Sequence, residues 1–179
     1  MADADEQSLQ SHFSIQKIYI KDVSFESPDT PKAFSFNKWE PKIDLNLNNA
    51  HSNIDDNLYE AVLTITATAK HEEKTAFLVE VQQAGIFAVA GFNDDEKKYL
   101  LGSQCMNILY PYARETISDL TTRGGFPPLL LAPVNFDAFY QQHMQQHSDK
   151  EKDAEIQDAE IQDVEAQDVE AQDAEAVKH

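Results

Sequence analysis

Residues 123–140, RGGFPPLLLAPVNFDAFY, carry the strongest indication of how this chain is arranged. The stretch holds four aromatic rings and three consecutive leucines among two glycines and three prolines. Prolines lack a backbone N–H and paired glycines disfavour regular structure, so its first half is predicted to be an irregular, apolar loop. Such a loop either covers the core as a lid or forms the wall of an apolar groove that binds a partner.

Four segments before this loop show the alternation of apolar residues that is typical of β-strands. In the first, the apolar positions shift phase twice between Phe13 and Phe25, which predicts bulges in one long strand. The second strand is predicted at 43–47, and the Asn- and Asp-rich segment 48–57 is interpreted as a turn region. A long third strand and a fourth, joined by a polar hairpin at 71–74, indicate an antiparallel meander.

The apolar spacing becomes helical after Asn93 and Asp94, which are suitable N-caps. Apolar residues then recur every three or four positions up to Gly124. Pro111 lies within this run and is expected to kink or split the helix. A shorter helix is predicted from Asn135 to about residue 146.

Cys105, Tyr110 and Tyr112 fall outside the main apolar stripe of the long helix. The helix therefore has more apolar surface than one sheet can cover. We expect a second subunit to use this surface, with these three residues in the oligomer interface.

The composition limits the classes of function. Against 14 basic residues the chain has 32 acidic ones, and its net charge of -18 repels phosphate backbones and anionic membrane surfaces while favouring basic partners. We therefore expect neither a nucleic-acid partner nor direct membrane insertion, since no apolar run approaches the roughly 20 residues of a membrane span. A single cysteine and an acidic N-terminus without signal-peptide features indicate a cytoplasmic protein.

Both ends of the chain are interpreted as disordered, at 1–11 and 148–179, which leaves one domain at 12–147. The tail repeats DAEIQ, DAEIQ, DVEAQ, DVEAQ and DAEA over residues 153–176, and residues 149–179 hold 12 acidic residues and three lysines. A five-residue period turns successive apolar residues by about 140° on a helix, so they form no stripe and the tail cannot dock as an amphipathic helix. A functional acidic decoy is the alternative interpretation.

The sequence carries no signature of an enzyme. His143 and His147 have the spacing of metal ligands on a helix, but the glutamate of the HExxH pattern and a third ligand are missing. Cys105 lies among apolar helix residues, which favours an inert buried thiol. Gly85 and Gly91 form neither a GxGxxG motif nor a P-loop. We expect no enzymatic activity, no metal and no cofactor.

A second loop rich in aromatic residues precedes the second strand and carries Phe34, Phe36 and Trp39. Together with residues 123–140, it forms either a pair of lids over the core or the two walls of one apolar groove, and the pattern alone does not separate these alternatives. A groove beside a sheet edge would suit an extended peptide, whose backbone needs partners and whose large side chains need pockets.

Four segments of the chain resemble the SecB family of bacterial protein-export chaperones. They are KIYIKDVSFESP at 17–28, TAFLVEVQQAGIF at 75–87, NILYPYARE at 107–115 and RGGFPPLLLAPVNFDAF at 123–139. The segments occur in the family's order and extend over nearly the whole predicted domain. Two departures are small: Ala84 stands where a second glycine is usual before Gly85, and Gly125 where a threonine is common. The repeat tail has no counterpart in the family.

The resemblance implies an α+β fold, in which a four-stranded antiparallel sheet, the meander, carries the long kinked helix and the short C-terminal helix on one face. It implies an ATP-independent holdase that keeps precursor proteins unfolded and delivers them to the SecA motor of the export translocase. It also implies a homotetramer, a dimer of dimers with the long helices packed between the dimers. The alternative is a chaperone-like adaptor that binds one specific folded partner or degron, for instance in a toxin–antitoxin system.

The resemblance also implies the binding sites, and it favours the groove over the lid for residues 123–140. The client-binding groove would be lined by Phe34, Trp39, Leu129, Leu131, Phe136 and Phe139. The SecA motor would bind an acidic patch on the sheet, at Asp22, Glu26 and Glu80. The pattern singles out Glu80 as well, because it places a charge inside the apolar fourth strand.

Overall fold

A computed structural model of the chain describes residues 11–35, 38–71 and 73–145. By its contacts the chain divides into two units, Met1–Asp137 and Ala138–His179. The first contains a four-stranded antiparallel sheet and two consecutive helices, which confirms the predicted α+β class. A short helix, α3, spans 136–145, close to the predicted bounds, and most of its residues belong to the second unit. The predictions of disorder at the two ends, and the repeat tail, fall outside the described residues apart from Ser11.

The strands of the sheet are β1 (His12–Glu26), β2 (Lys42–Asp55), β3 (Leu58–His71) and β4 (Lys74–Ala90). Their spatial order is β1-β4-β3-β2. The meander consists of β2, β3 and β4, which are joined by tight turns. β1 reaches β2 through the long loop 27–41 and pairs with β4, so the complete sheet has the strand order of a Greek key.

β1 contains the two bulges that its sequence predicts. Its register with β4 shifts between Ile15 and Lys17 and again between Ile20 and Asp22. Each shift restores the phase of the apolar pattern, because an extra residue returns the following side chains to the same side of the sheet. The residues that share this side are Phe13, Ile15, Ile18, Ile20, Val23 and Phe25.

β2 is longer than predicted. The segment 48–57 is not a turn region: β2 continues to Asp55, and the chain turns only at Asp56 and Asn57, where Asn57 has a φ of 59°. The polar side chains of this segment lie on an edge strand, and their backbone pairs with β3 from Asn48 to Asn53. Pairing with β3 therefore outweighs the local preference of Asn and Asp for turns.

The helical part begins at the predicted cap, since Asn93 and Glu96 form a reciprocal capping box. The elements that follow are α1 (Asp94–Tyr99), a π-helical turn (Leu100–Gln104) and α2 (Cys105–Arg123). α2 ends at Gly124 as predicted and continues through Pro111, which does not split it. The departure from α-helical geometry lies upstream of the proline, in the π turn.

α2 packs against β3 and β4 on one side of the sheet, which we call the inner face. The odd-numbered residues from Ala61 to Ala69 of β3 and from Phe77 to Val89 of β4 point to this face and are buried. They meet the fully buried side chains Met106, Leu109, Ala113 and Ile117 of α2. The even-numbered residues of β3 and β4 form the outer face.

Two of the three predicted oligomer residues lie inside the chain itself. Cys105 has 0% exposure and Tyr110 has 5%, so both side chains are already packed within the single chain. Burial raises the pKa of the Cys105 thiol to about 12. The rings of Tyr110 and Phe136 pack edge to face with their centroids 5.4 Å apart, because the loop after α2 folds over this side of the helix. Tyr112, the third residue of the predicted interface, is 50% exposed.

Candidate functional site

The apolar loop, residues 124–135, connects α2 to α3, and its backbone is tied to α2 by hydrogen bonds. The N–H of Phe126 donates to the carbonyl of Thr121 at 3.1 Å, and the N–H of Leu129 donates to Oγ1 of the same threonine at 3.0 Å. The Tyr110 hydroxyl donates to the carbonyl of Ala132. These bonds satisfy polar groups that an irregular buried segment would otherwise leave unpaired. Sequence reasoning missed Thr121, because it is a single polar residue within a helix.

Two glycines let the apolar loop approach the aromatic rings beside it. A Cβ on Gly124 would lie 2.2 Å from the ring of Phe25. Gly125 has a φ of +86°, and its Cβ would lie 3.1 Å from the ring of Phe34. Glycine fits both positions because it has no Cβ and accepts positive φ. The end of α2 is thereby held against β1 and against the loop that precedes β2.

Phe126 is the centre of the aromatic cluster, which we define as Phe25, Phe34, Trp39, Phe77 and Phe126. Its ring centroid lies 5.0 Å from Phe77 and 5.2 Å from both Phe34 and Trp39. The Phe126 side chain is buried, while Phe34 is 54% exposed. The predicted client-binding set omits Phe126, since no period within an irregular loop shows which aromatic residue becomes central.

The predicted client-binding residues divide into buried and accessible ones. Leu131 and Phe136 are buried and belong to the core, whereas Trp39 and Leu129 are only partly buried. Leu130, which the predicted set omits, is 74% exposed. Within the first unit, the stretch at 123–137 therefore supplies both a lid over the core and an accessible apolar rim.

An open hollow of about 360 Å³ lies between the apolar loop and the loop that precedes β2. Its walls are Ala33, Phe34, Trp39, Gly125, Phe126 and Pro127. A second hollow, of about 470 Å³, separates the apolar loop from α2 and is lined by Leu130 and Leu131 on one side and Pro111 and Arg114 on the other. The first hollow is lined by aromatic and aliphatic groups and suits apolar side chains of a bound partner. The α2 side of the second hollow is mostly polar and charged, since it also includes Glu115, Ser118, Asp119 and Thr122.

Two other aromatic residues from the sequence argument stand apart. Phe36 lies outside the described residues. Phe139 belongs to the second unit, where its ring centroid lies 4.7 Å from that of His143.

The outer face brings the three predicted motor-binding residues together. Glu80 on β4 is in register with Ser24 on β1, and Ser24 lies between Asp22 and Glu26 in the sequence. Cross-strand neighbours and alternate residues of a strand share a face, so the three carboxylates lie on the same face of the sheet. We call these three carboxylates the acidic patch. None of them forms an ion pair with any residue that the structure describes. Leu78 on β4, which is in register with Glu26, adds an apolar side chain to the same face. The prediction did not include this residue.

Another carboxylate of the outer face is neutralised. Lys21 Nζ lies 2.7 Å from Glu60, and the Tyr19 hydroxyl donates to the same carboxylate. The Lys21 hydrogen bond and then that of Tyr19 lower the pKa of Glu60, and the bond to Glu60 raises the pKa of Tyr19 to about 12. On this face β1 also presents the ammonium group of Lys17, in register with Ile86 and without an ion pair among the described residues.

The end of the apolar loop is anchored at the π turn. Asp137 accepts hydrogen bonds from the hydroxyl of Tyr99, at 2.9 Å, and from that of Ser103. The Ser103 bond and then the Tyr99 bond lower the pKa of the Asp137 carboxyl. The apolar loop is thus fixed at both ends, by Thr121 and by Asp137.

Within the part of the chain that the structure describes, no group of three or more His, Cys, Asp or Glu side chains is placed to hold a metal ion. No helix among the same residues has the length and apolar character needed to cross a membrane.

The sheet carries an apolar rim on one face and, on the other, carboxylates that have no ion pair among the described residues; accessible apolar and charged surfaces of this kind are typical of proteins that bind other chains. The chain belongs to the SecB family. The sequence model of this family, described as Preprotein translocase subunit SecB, matches residues 6–147 and leaves the whole tail at 148–179 outside the match.

Protein-export protein SecB of Methylococcus capsulatus is 51% identical over 150 residues, which covers 84% of this chain and 96% of the relative. The protein of the same name from Nitrosococcus oceani is 55% identical over 142 residues, covering 79% of this chain and 87% of the relative. These relatives confirm the resemblance that the four segments indicated, and their names support export rather than the adaptor alternative.

The fold is also similar to a solved structure, a SecB-like chaperone of Mycobacterium tuberculosis in complex with a peptide from an antitoxin. The TM-score is 0.58 at 19% sequence identity, and the match covers 68% of this chain and 90% of that chain. At this identity the likeness concerns the fold alone.

Proposed function

We propose that this SecB-family protein acts as an ATP-independent holdase in the cytoplasm, where it keeps precursor proteins unfolded and delivers them to the SecA motor of the export translocase. The observation that carries the proposal is the placement of two different surfaces on opposite faces of one sheet. On β1, Phe25 belongs to the aromatic cluster on the inner face, and the next residue, Glu26, belongs to the acidic patch on the outer face. A client and the motor can then be bound at the same time.

The client contacts we propose are the accessible apolar side chains. From the predicted set these are Phe34, Trp39 and Leu129 of the first unit and Phe139 of the second, and Leu130 joins them because of its exposure. Many weak apolar contacts along an unfolded chain add up through multivalency, so no sequence code is needed. Binding the unfolded state slows refolding by mass action.

For the motor we propose a cationic segment that contacts Asp22, Glu26 and Glu80. Because these carboxylates lack ion-pair partners among the described residues, a cationic partner gains their full attraction without breaking an existing pair. The net charge of -18 adds a long-range attraction for basic segments.

We propose that the assembly is a homotetramer, a dimer of dimers. Tyr112 on α2 is one exposed apolar side chain that a second subunit would cover. Ile15, Ile20 and Val23 on the edge strand β1 are others, since their side chains point to the inner face and remain exposed. Exposed apolar residues on an unprotected edge support association with another copy of the chain.

The holdase proposal is tested by the refolding rate of an unrelated unfolded protein, measured together with the native mass of the chain. We expect a tetramer that slows refolding, and we expect Phe34→Ser to weaken this effect several-fold while the mass is unchanged. Ile54→Ser is the matched control, because Ile54 is also a large apolar residue of similar exposure but lies away from the hollow, at the end of β2. A monomer without effect on refolding contradicts the proposal, and equal effects of the two variants contradict the client site.

A further inference from the structure

We propose that Thr66 is a positioning residue for the motor contact, because it holds the carboxylate of Glu80 in place on the outer face. Thr66 lies on β3 directly opposite Glu80 on β4. Its Oγ1 donates a hydrogen bond of 2.9 Å to Oε2 of Glu80. This inference rests on the proposed binding of SecA to the acidic patch.

Glu80 is the member of the acidic patch that sits on a central strand, whereas Asp22 and Glu26 lie on the edge strand β1. A glutamate side chain has several rotatable bonds, and fixing it in a complex costs rotamer entropy. The hydroxyl of Thr66 removes part of that cost before the partner arrives. Since it occupies only Oε2, Oε1 remains available for a donor of the motor.

The type of donor matters as much as its position. Glu60, on the same face, is held by a charged donor instead: Lys21 fixes its carboxylate but also cancels its negative charge. A threonine hydroxyl is neutral, so Glu80 is oriented and still presents its full negative charge to a cationic partner. This combination suits a carboxylate that recognises a cation rather than one that stabilises the sheet.

The neighbours of Thr66 show that this bond is specific to the row of Glu80. Thr64 and Thr68 lie on the same face of β3, in register with Gln82 and Leu78. Neither forms a side-chain hydrogen bond with a residue in the described ranges. These two threonines therefore provide controls with the same residue type, strand and face.

The test is isothermal titration of SecA into four variants of the full chain: Thr66→Val, Thr66→Ser, Thr68→Val and Glu80→Ala. Valine keeps the branched shape and removes the donor, so Thr66→Val is expected to bind SecA about fivefold more weakly. Thr66→Ser keeps the donor, and it and Thr68→Val are expected to bind SecA like the wild type. Retardation of client refolding should be unchanged in all four.

The double variant Thr66→Val/Glu80→Ala separates positioning from a general structural role. If Thr66 acts through Glu80, the double variant binds SecA no more weakly than Glu80→Ala alone. Additive losses, or a loss in Thr68→Val equal to that in Thr66→Val, overturn the positioning role. Wild-type affinity of Glu80→Ala would overturn the motor contact itself, whereas a weakened Glu80→Ala beside an unaffected Thr66→Val would overturn only the role of Thr66.

Discussion

The two faces of the sheet carry different kinds of surface. On the inner face, the aromatic cluster joins rings from two loops to rings from β1 and β4, and the apolar loop is held by this ring packing and by hydrogen bonds to buried groups such as Thr121. On the outer face, the acidic patch stands on regular strands and consists of side chains alone. Substitutions on the inner face should therefore affect stability and client binding together, whereas those on the outer face should affect partner binding alone.

The largest effect is expected from Phe126→Ala, which removes the centre of the aromatic cluster. Loss of a buried aromatic side chain of this kind lowers the free energy of unfolding by about 3 kcal/mol or more. Glu80→Ala on the outer face should change it by less than about 0.5 kcal/mol. Denaturant unfolding followed by the fluorescence of Trp39, the single tryptophan, measures both. Equal losses in the two variants would contradict the distinction between the faces.

Thr121→Val is expected to have the next largest effect. The buried N–H of Leu129 would lose its acceptor, which costs about 2 kcal/mol. Thr122→Val is the control, because Thr122 is exposed and its hydroxyl contacts only the helix backbone. The same unfolding experiment compares them, and a Thr121→Val variant as stable as Thr122→Val would show that the apolar loop does not depend on this anchor.

Gly124→Ala sharpens the comparison at the point where α2 meets β1. The added Cβ would require the ring of Phe25 to move, and overpacking of this kind costs about 1 to 3 kcal/mol. Near-ultraviolet circular dichroism should report the rearranged rings, with an altered aromatic signal and an unchanged far-ultraviolet spectrum. Wild-type stability and an identical aromatic signal would contradict the close contact between Gly124 and Phe25.

The smallest effect is a pH dependence at Asp137. Its pKa is lowered from 3.8 in the folded chain by the hydrogen bonds from Ser103 and Tyr99. Its contribution to stability is therefore present above pH 3.8 and is lost as the pH falls through the lowered value. The melting temperatures of wild type and Asp137→Asn, measured from about pH 7 down to about pH 2, should converge at the acid end. A constant difference across that range would rule out this contribution.

The regular elements could be predicted from the sequence, because their patterns have a period. The double phase shift between Phe13 and Phe25 predicted two bulges, and the N-cap candidates Asn93 and Asp94 predicted a helix start. The acidic patch was implied by the family resemblance, and the pattern itself singled out only Glu80, as a charge in an apolar strand. In β2, cross-strand pairing overrode the local turn preference at 48–55, which a single strand's sequence does not reveal.

The inner face could be predicted only in outline. The sequence showed that the two loops are apolar, but an irregular loop has no period that separates Leu130, which is exposed, from Leu131, which is buried. Likewise, Tyr110 lies off the main apolar stripe of the helix, and its contacts with Phe136 and Ala132 form only when the loop folds over it. The anchors Thr121 and Asp137 are single polar residues whose partners lie elsewhere in the chain.

The most direct test of the account is a crossed titration of two variants, Phe34→Ser and Glu80→Lys, against both an unfolded precursor and SecA. Separate surfaces predict that Phe34→Ser loses affinity for the precursor only, and that Glu80→Lys loses about tenfold or more of the affinity for SecA only. If either variant loses both affinities while its native mass and melting temperature are unchanged, the two faces do not act as separate binding surfaces.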